Sequence, residues 1–253
     1  MYYRLLTYIV LLLPAHAGAQ TLRLGCGNSL PPYVIEQNNR GIALELMRRA
    51  METQGYELTY HYGSNRQLAE EFSQGELDVL CVSSPELSSS AYFSAEPLMI
   101  LQNEAVSLQS SNIRLTDISQ LSQYRLGSFI LATKLLPYPF AEAARQSPHY
   151  HEYLDQQQQV ADLYAGTLQV IIIDRMIFRY YMSRLRRSSP QDQRLKAALA
   201  FQSLFPSNPF NAAFHQPEIR DSFDRGIRQL RDSGEYGRIV QSYSRMLDDY
   251  LFQ

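Results

Sequence analysis

Apolar positions along this chain change their period repeatedly, and each change predicts an element. TLRLGCG is apolar and alternating, as a strand is, and NSLPPY ends it because Pro31 and Pro32 forbid helix. GIALELMRRAMETQG then places Ile42, Leu46, Met47, Ala50 and Met51 on one helical face and stops at Gly55. YELTYHYG reads as a second strand. SNRQLAEEFSQG reads as a short helix capped by Ser64 or Asn65 and stopped at Gly75, and LDVLCVSS as a third strand ending in paired serines. The order is βαβαβ, which right-handed crossovers fold into one parallel sheet with helices on both faces.

The theme returns in the middle of the chain. Residues 116–123 predict a short capped helix, YRLGSF a strand, and TKLLPYPFAEAARQ a helix interrupted by Pro137 and Pro139. In DLYAGTLQVIIID a helix-like stretch passes through one glycine into Val170, Ile171, Ile172 and Ile173, then stops on Asp174. A short β-branched run of this kind reads as a strand covered on both faces. The following DRMIFRYYMSRLRR has helical spacing, so Asp174 falls where strand hands over to helix. It is a good N-cap there, and also a candidate ligand residue, because open α/β sheets bind solutes beyond the carboxyl ends of their strands. FNAAFH reads as a strand. PEIRDSFDRGIRQLRDSG is an amphipathic helix with Pro217 in its first turn and Ile219, Phe223, Ile227 and Leu230 on one stripe. Polar connectors at 108–115 and 205–209 separate two α/β units. They predict one lobe from residues 20–107 and 209–253, a second from residues 108–208, and hinging at the two connectors.

Residues 1–19 predict a compartment. MYYR is positively charged, LLTYIVLLLP is a short apolar stretch, and Ala17-Gly18-Ala19 has cleavage spacing, as in a secretory signal peptide. Cleavage there leaves a soluble exported chain of 234 residues (253 minus 19) and, without Arg4, shifts the formal charge from −2 to −3. A chain so near neutrality is a poor partner for nucleic acid, and the Arg184–Arg187 cluster fits a solvated helix end. Two cysteines remain, Cys26 and Cys81. In an oxidising compartment a bond between them closes a loop of about 55 residues, worth roughly 4 kcal/mol. Cysteines side by side in neighbouring strands often have awkward bridge geometry, so the pattern leaves the bond open.

Catalytic and cofactor motifs do not form. GCGNSL lacks the third glycine of a dinucleotide fingerprint, His149 and His151 lack a carboxylate or cysteine partner at metal spacing, and no G-x-S-x-G elbow is present. The reading is a binding protein without cofactor or metal. What stands out is a set of strand ends: Ser83 and Ser84, the stretch Ser128 to Thr133, and Asp174. Hydroxyls and free N–H groups at such points suit a small polar solute, and a fixed aspartate selects an amine.

The segment order resembles the bacterial extracellular solute-binding proteins of family 3, the periplasmic amino-acid-binding type. LRLGCGNSLPPY is similar to the family's opening strand and Pro-aromatic turn, GIALELMRRAMETQGY to its glycine-led helix, and GELDVLCVSS to its third strand with small polar residues after it. YFSAEPLM, LTDISQLSQYRLGSFILAT and DLYAGTLQVIIID continue the match in order. The resemblance implies a two-lobe periplasmic binding protein (type II) fold, each lobe a mostly parallel sheet flanked by helices, joined by two crossover strands. It places Asp174 on the aspartate that holds a ligand's amino group and Thr133 on the threonine that helps hold its carboxylate, with Tyr33, Ser83 and Ser84 beside them. The departures bear on the ligand. The family's arginine, expected within SSPELSSSAYF, is missing; Ala132 replaces a glycine, Gln169 replaces an aspartate, and Leu30 or Asn65 stands where an aromatic stacks on the ligand. An α-carboxylate would thus lose its bidentate partner.

The function implied is a monomeric periplasmic protein closing on a small polar, amino-acid-like or amine-bearing solute, for an ABC permease or a membrane sensor. Two alternatives differ in class: an enzyme on the same fold, like the family's cyclohexadienyl dehydratases, and a stand-alone homologue with a degenerate cleft.

Overall fold

The computed structural model describes residues 20–83 and 88–249, the side chains of the last two excepted. The expected signal peptide and Ser84 lie outside the described residues. Among the described residues no helix is long and apolar enough to cross a membrane.

In chain order, β1 (Gln20–Gly27), α1 (Ile42–Glu52), β2 (Tyr56–Gly63), α2 (Asn65–Ser73), β3 (Val79–Leu80) and β4 (Tyr92–Phe93) come first, followed by β5 (Met99–Leu101) and β6 (Asn103–Leu108). Then come β7 (Arg125–Phe129), α3 (Ala132–Leu135), α4 (Tyr138–Gln146), β8 (His149–Tyr153), α5 (Gln156–Tyr164), β9 (Val170–Asp174) and α6 (Arg175–Ser188). The chain ends with β10 (Leu199–Gln202), β11 (Asn208–Phe210), β12 (Ala213–Phe214), α7 (Pro217–Asp232) and α8 (Glu235–Asp249). One sheet has the order β2-β1-β3-β12-β4 and the other β10-β6-β9-β7-β8, so the fold has two α/β lobes. A third, two-stranded pairing of β5 with β11 carries both crossings between them.

Each sheet is mostly parallel, as expected, with one strand of its five running against the rest. β1 runs parallel to β2 and β3, but β12 is antiparallel to β3 and β4. Likewise β7 is parallel to β8 and β9, while β6 is antiparallel to β9 and β10. β6 and β12 follow the two crossings, so each enters its sheet from the other lobe against the βα direction, whereas β10, antiparallel to β6, runs the same way as β7, β8 and β9. The expected boundaries also shift. β6 belongs to the second sheet, although the connector at 108–115 had assigned nearly all of it to the first lobe. That polar stretch turns at the far end of β6, and the crossing lies at β5, which is joined to β6 through Gln102 alone, with no proline or serine to mark it.

Burial follows the apolar pattern. β9 is buried at all five positions: Val170 and Ile172 pack with Leu126 and Phe140, and Ile171 and Ile173 pack on the opposite face with Val160, Leu163 and Ile177. The α7 stripe Ile219, Phe223, Ile227 and Leu230 is buried. Its Gly226 lets α7 approach α1 so closely that a Cβ there would strike the Ala50 carbonyl. The segment forming α8 has no place among the sequence-expected elements. Its buried positions Ile239, Tyr243 and Leu247 recur every four residues in a polar background. α8 packs on α1 and α7 in one lobe and on α6 in the other. Tyr243 accepts a hydrogen bond from the Gly41 N–H (3.0 Å), and Arg179 of α6 donates to Ser244 Oγ (2.7 Å).

Cys26 and Cys81 are joined by a disulfide, with Cα atoms 5.0 Å apart. The parallel register Leu24 to Val79 and Gly25 to Leu80 makes them the next opposed pair.

Candidate functional site

A cavity of about 550 Å³ lies between the two sheets. Lobe 1 lines it with Asn28, Ser29 and Leu30 beyond β1, Ser64 and Asn65 at the start of α2, and Val82 beyond β3. The crossing strands contribute Met99, Leu101, Asn208 and Phe210. Lobe 2 contributes Asn103, Phe129 to Leu131, Leu135, Gln156 and Asp174. The carboxyl ends of β1, β3, β7 and β9 all meet here, where loops and helix starts leave polar backbone groups facing inward.

Asp174 is 3 % exposed and caps α6, with Oδ1 accepting from the N–H groups of Met176 (2.8 Å) and Ile177 (3.0 Å). The same oxygen accepts from the Tyr33 hydroxyl of the opposite lobe (3.2 Å), and Oδ2 accepts from the Gln102 N–H (2.8 Å). Burial raises the Asp174 pKa, and these four donors offset part of that rise. The Tyr33 hydroxyl stays protonated, because burial and the adjacent carboxylate push its pKa up. Next door, Arg175 makes a two-pronged pair with buried Glu104 (2.6 Å for each contact), which also accepts from Ser203. This pair fixes the start of α6 against β6.

The loop after β7 departs from expectation. Thr133 does not line the cavity: its N–H (3.1 Å) and Oγ1 (2.9 Å) both donate to Glu152 of β8. Leu131 N–H donates to the other Glu152 oxygen (2.8 Å), and Tyr150 Oη to the first (2.9 Å). A carboxylate of the chain itself thus takes the donors that the resemblance assigned to a ligand carboxylate. Leu131 adopts a left-handed conformation (φ 65°, ψ 13°), which costs a leucine about 1–2 kcal/mol and is held by this bond. Burial alone would raise the Glu152 pKa, but bonds from Thr133, Tyr150 and Leu131 outweigh it and lower the value. A depressed folded-state value contributes stability that is present above the ordinary glutamate pKa of about 4.3 and is lost as pH falls through the lowered one. Glu152→Gln is therefore expected to flatten the fall in thermal midpoint below about pH 4.3. Melting curves of both proteins from neutral to acid pH check this; parallel curves would contradict it.

Of the other sequence candidates, Ser83 shares a hydrogen bond with Ser88 (2.9 Å) and does not line the cavity. Tyr33 is buried behind the wall and reaches the site only through Asp174. Leu30 and Asn65, the two alternatives for the position where the resemblance expects a stacking aromatic, both line the cavity, as does Cys81. Asn28, Asn103, Gln156 and Asn208 went unrecognised, although Gln156, like Asn65, opens a helix right after a strand, the same kind of signal that picked out Asp174.

The sequence profile of the bacterial extracellular solute-binding proteins, family 3, matches residues 22–246. The chain belongs to that family. Solved structures agree on the fold at low identity. An ancestral arginine-binding protein bound to arginine is 15% identical with a TM-score of 0.63, the match covering 89% of this chain and 99% of that one. The GluR0 ligand-binding core with L-glutamate is 16% identical with a TM-score of 0.65, covering 89% and 98%. A histidine-bound ABC uptake transporter substrate-binding protein from Streptococcus pneumoniae is 16% identical with a TM-score of 0.60, covering 88% and 92%. No curated protein sequence matches the chain significantly. As a member of the solute-binding family it has its cavity where two lobes meet.

Proposed function

We propose that this is an exported, periplasmic solute-binding protein whose lobes close on a small solute and hand it to a membrane partner. The observation that carries the reading is the cavity of about 550 Å³ walled by both sheets and by the paired crossing strands. By likeness to the Streptococcus pneumoniae protein, the partner is an ABC permease. Asp174 is the ionisable side chain of the described lining and is already committed to four donors, which favours binding over acid–base turnover. Oδ2 has a single partner, Gln102 N–H, and so keeps capacity to accept from a ligand amine.

A thermal-shift screen of amino acids, amines, amides and organic acids tests the reading. A compound present at about 100 times its Kd is expected to stabilise the protein by about 2.7 kcal/mol. The same compound is expected to reduce the radius of gyration in X-ray scattering, because the crossing strands permit closure. An unchanged radius with a compound that demonstrably binds would remove the closing motion from the reading.

A further inference from the structure

We infer that the solute is an apolar-bodied molecule without an anionic group, a neutral or amine-bearing compound rather than a free amino acid. This deepens the binding reading above and rests on it. Three observations on the cavity wall agree. First, apart from Asp174 its hydrogen-bonding side chains are neutral amides and hydroxyls, chiefly Asn28, Asn65, Asn103, Gln156 and Asn208, and among the described residues the lining carries no lysine, arginine or histidine. A carboxylate taken from water into such a cleft loses its hydration without gaining a counter-charge.

Second, donors at the loop after β7 are already used. Leu131 N–H, Thr133 N–H and Thr133 Oγ1 all point to Glu152, so a second carboxylate there would meet a negative charge in place of free donors. Asp174, the charge on the lining itself, is negative as well. Third, the exposed wall carries large apolar side chains beside its exposed Asn28, Ser29, Ser64, Asn65 and Asn208. Ile130, Leu131 and Leu135 line the cavity yet stay 46%, 47% and 64% exposed, and Leu131 is held in a conformation that leucine disfavours. Side chains left open in this way are covered when an apolar group enters.

A matched pair of fluorophores tests the inference. N-phenyl-1-naphthylamine is uncharged, and 8-anilino-1-naphthalenesulfonate is the same anilinonaphthalene body bearing a sulfonate. The neutral dye is expected to bind saturably with a blue-shifted emission, and the sulfonate at least about tenfold more weakly. Leu131→Asn keeps a residue that tolerates the left-handed backbone but removes the apolar side chain. It should leave the melting temperature unchanged or higher and weaken the neutral dye by about three- to tenfold. Equal or tighter binding of the sulfonate, displacement of the neutral dye by L-arginine, L-glutamate or L-leucine, or unchanged dye binding in Leu131→Asn would each overturn the inference while leaving a solute-binding protein. Absence of binding by either dye and by every compound of the thermal screen would overturn the binding reading itself, and this inference with it.

Discussion

Asp174→Ala is expected to destabilise the protein by about 3–5 kcal/mol, because it removes a helix cap and strands buried donors. Met176 and Ile177 lose the acceptor that starts α6, Gln102 N–H loses its partner at the first crossing, and the Tyr33 hydroxyl is left facing an empty space. At about 2–4 °C per kcal/mol for a chain of this size, the melting temperature should fall by roughly 6–20 °C. Asp174→Asn should cost less, about 1–3 kcal/mol, since its oxygen can still cap α6 while its NH2 group opposes the Gln102 N–H. Differential scanning calorimetry of the three proteins separates these outcomes. If Asp174→Ala melts with the wild type, the four contacts are not holding the segment together.

Replacing both Cys26 and Cys81 by alanine is expected to cost about 4 kcal/mol, from the loop entropy returned to the unfolded chain. The sequence separation is 55 residues, and both sulfurs lie in the buried core of the first lobe. Cys81 also forms part of the cavity wall, so the variant should bind any ligand of the cleft more weakly as well as unfold earlier in denaturant. Comparing oxidised and reduced wild type in urea gives an independent reading. Coincident transitions would show that the bond does not constrain the unfolded state.

Legibility in the sequence varied with the range of the forces at work. β9 and the cap of α6 were readable because a β-branched run, a single aspartate and a helical period are all local signals. The stripe of α7 and the stop at Gly55 (φ 83°) were readable for the same reason. The fate of Thr133 was not, because it sits in α3 while its partner Glu152 lies 19 residues away in β8 and nothing local links them. β6 was misplaced since strand pairing, which decides lobe membership, leaves no mark in a short apolar run. The cavity wall was legible only in part: helix starts such as Asn65 and Gln156 carry a signal, whereas Met99 and Phe210 reach the cavity through the pairing of β5 with β11.

The placing of β12 sets an order of events during folding. All five strands of the second sheet come from residues 103–202, one uninterrupted stretch of chain. The first sheet instead holds β12, residues 213–214, between β3 and β4, so it is incomplete until the last sixth or so of the chain is available. During synthesis the second lobe can therefore collapse on its own while the first waits with the edges of β3 and β4 unpaired. A chain truncated before β12 would keep that vulnerable state permanently, and self-association of such a truncated chain would begin at those edges.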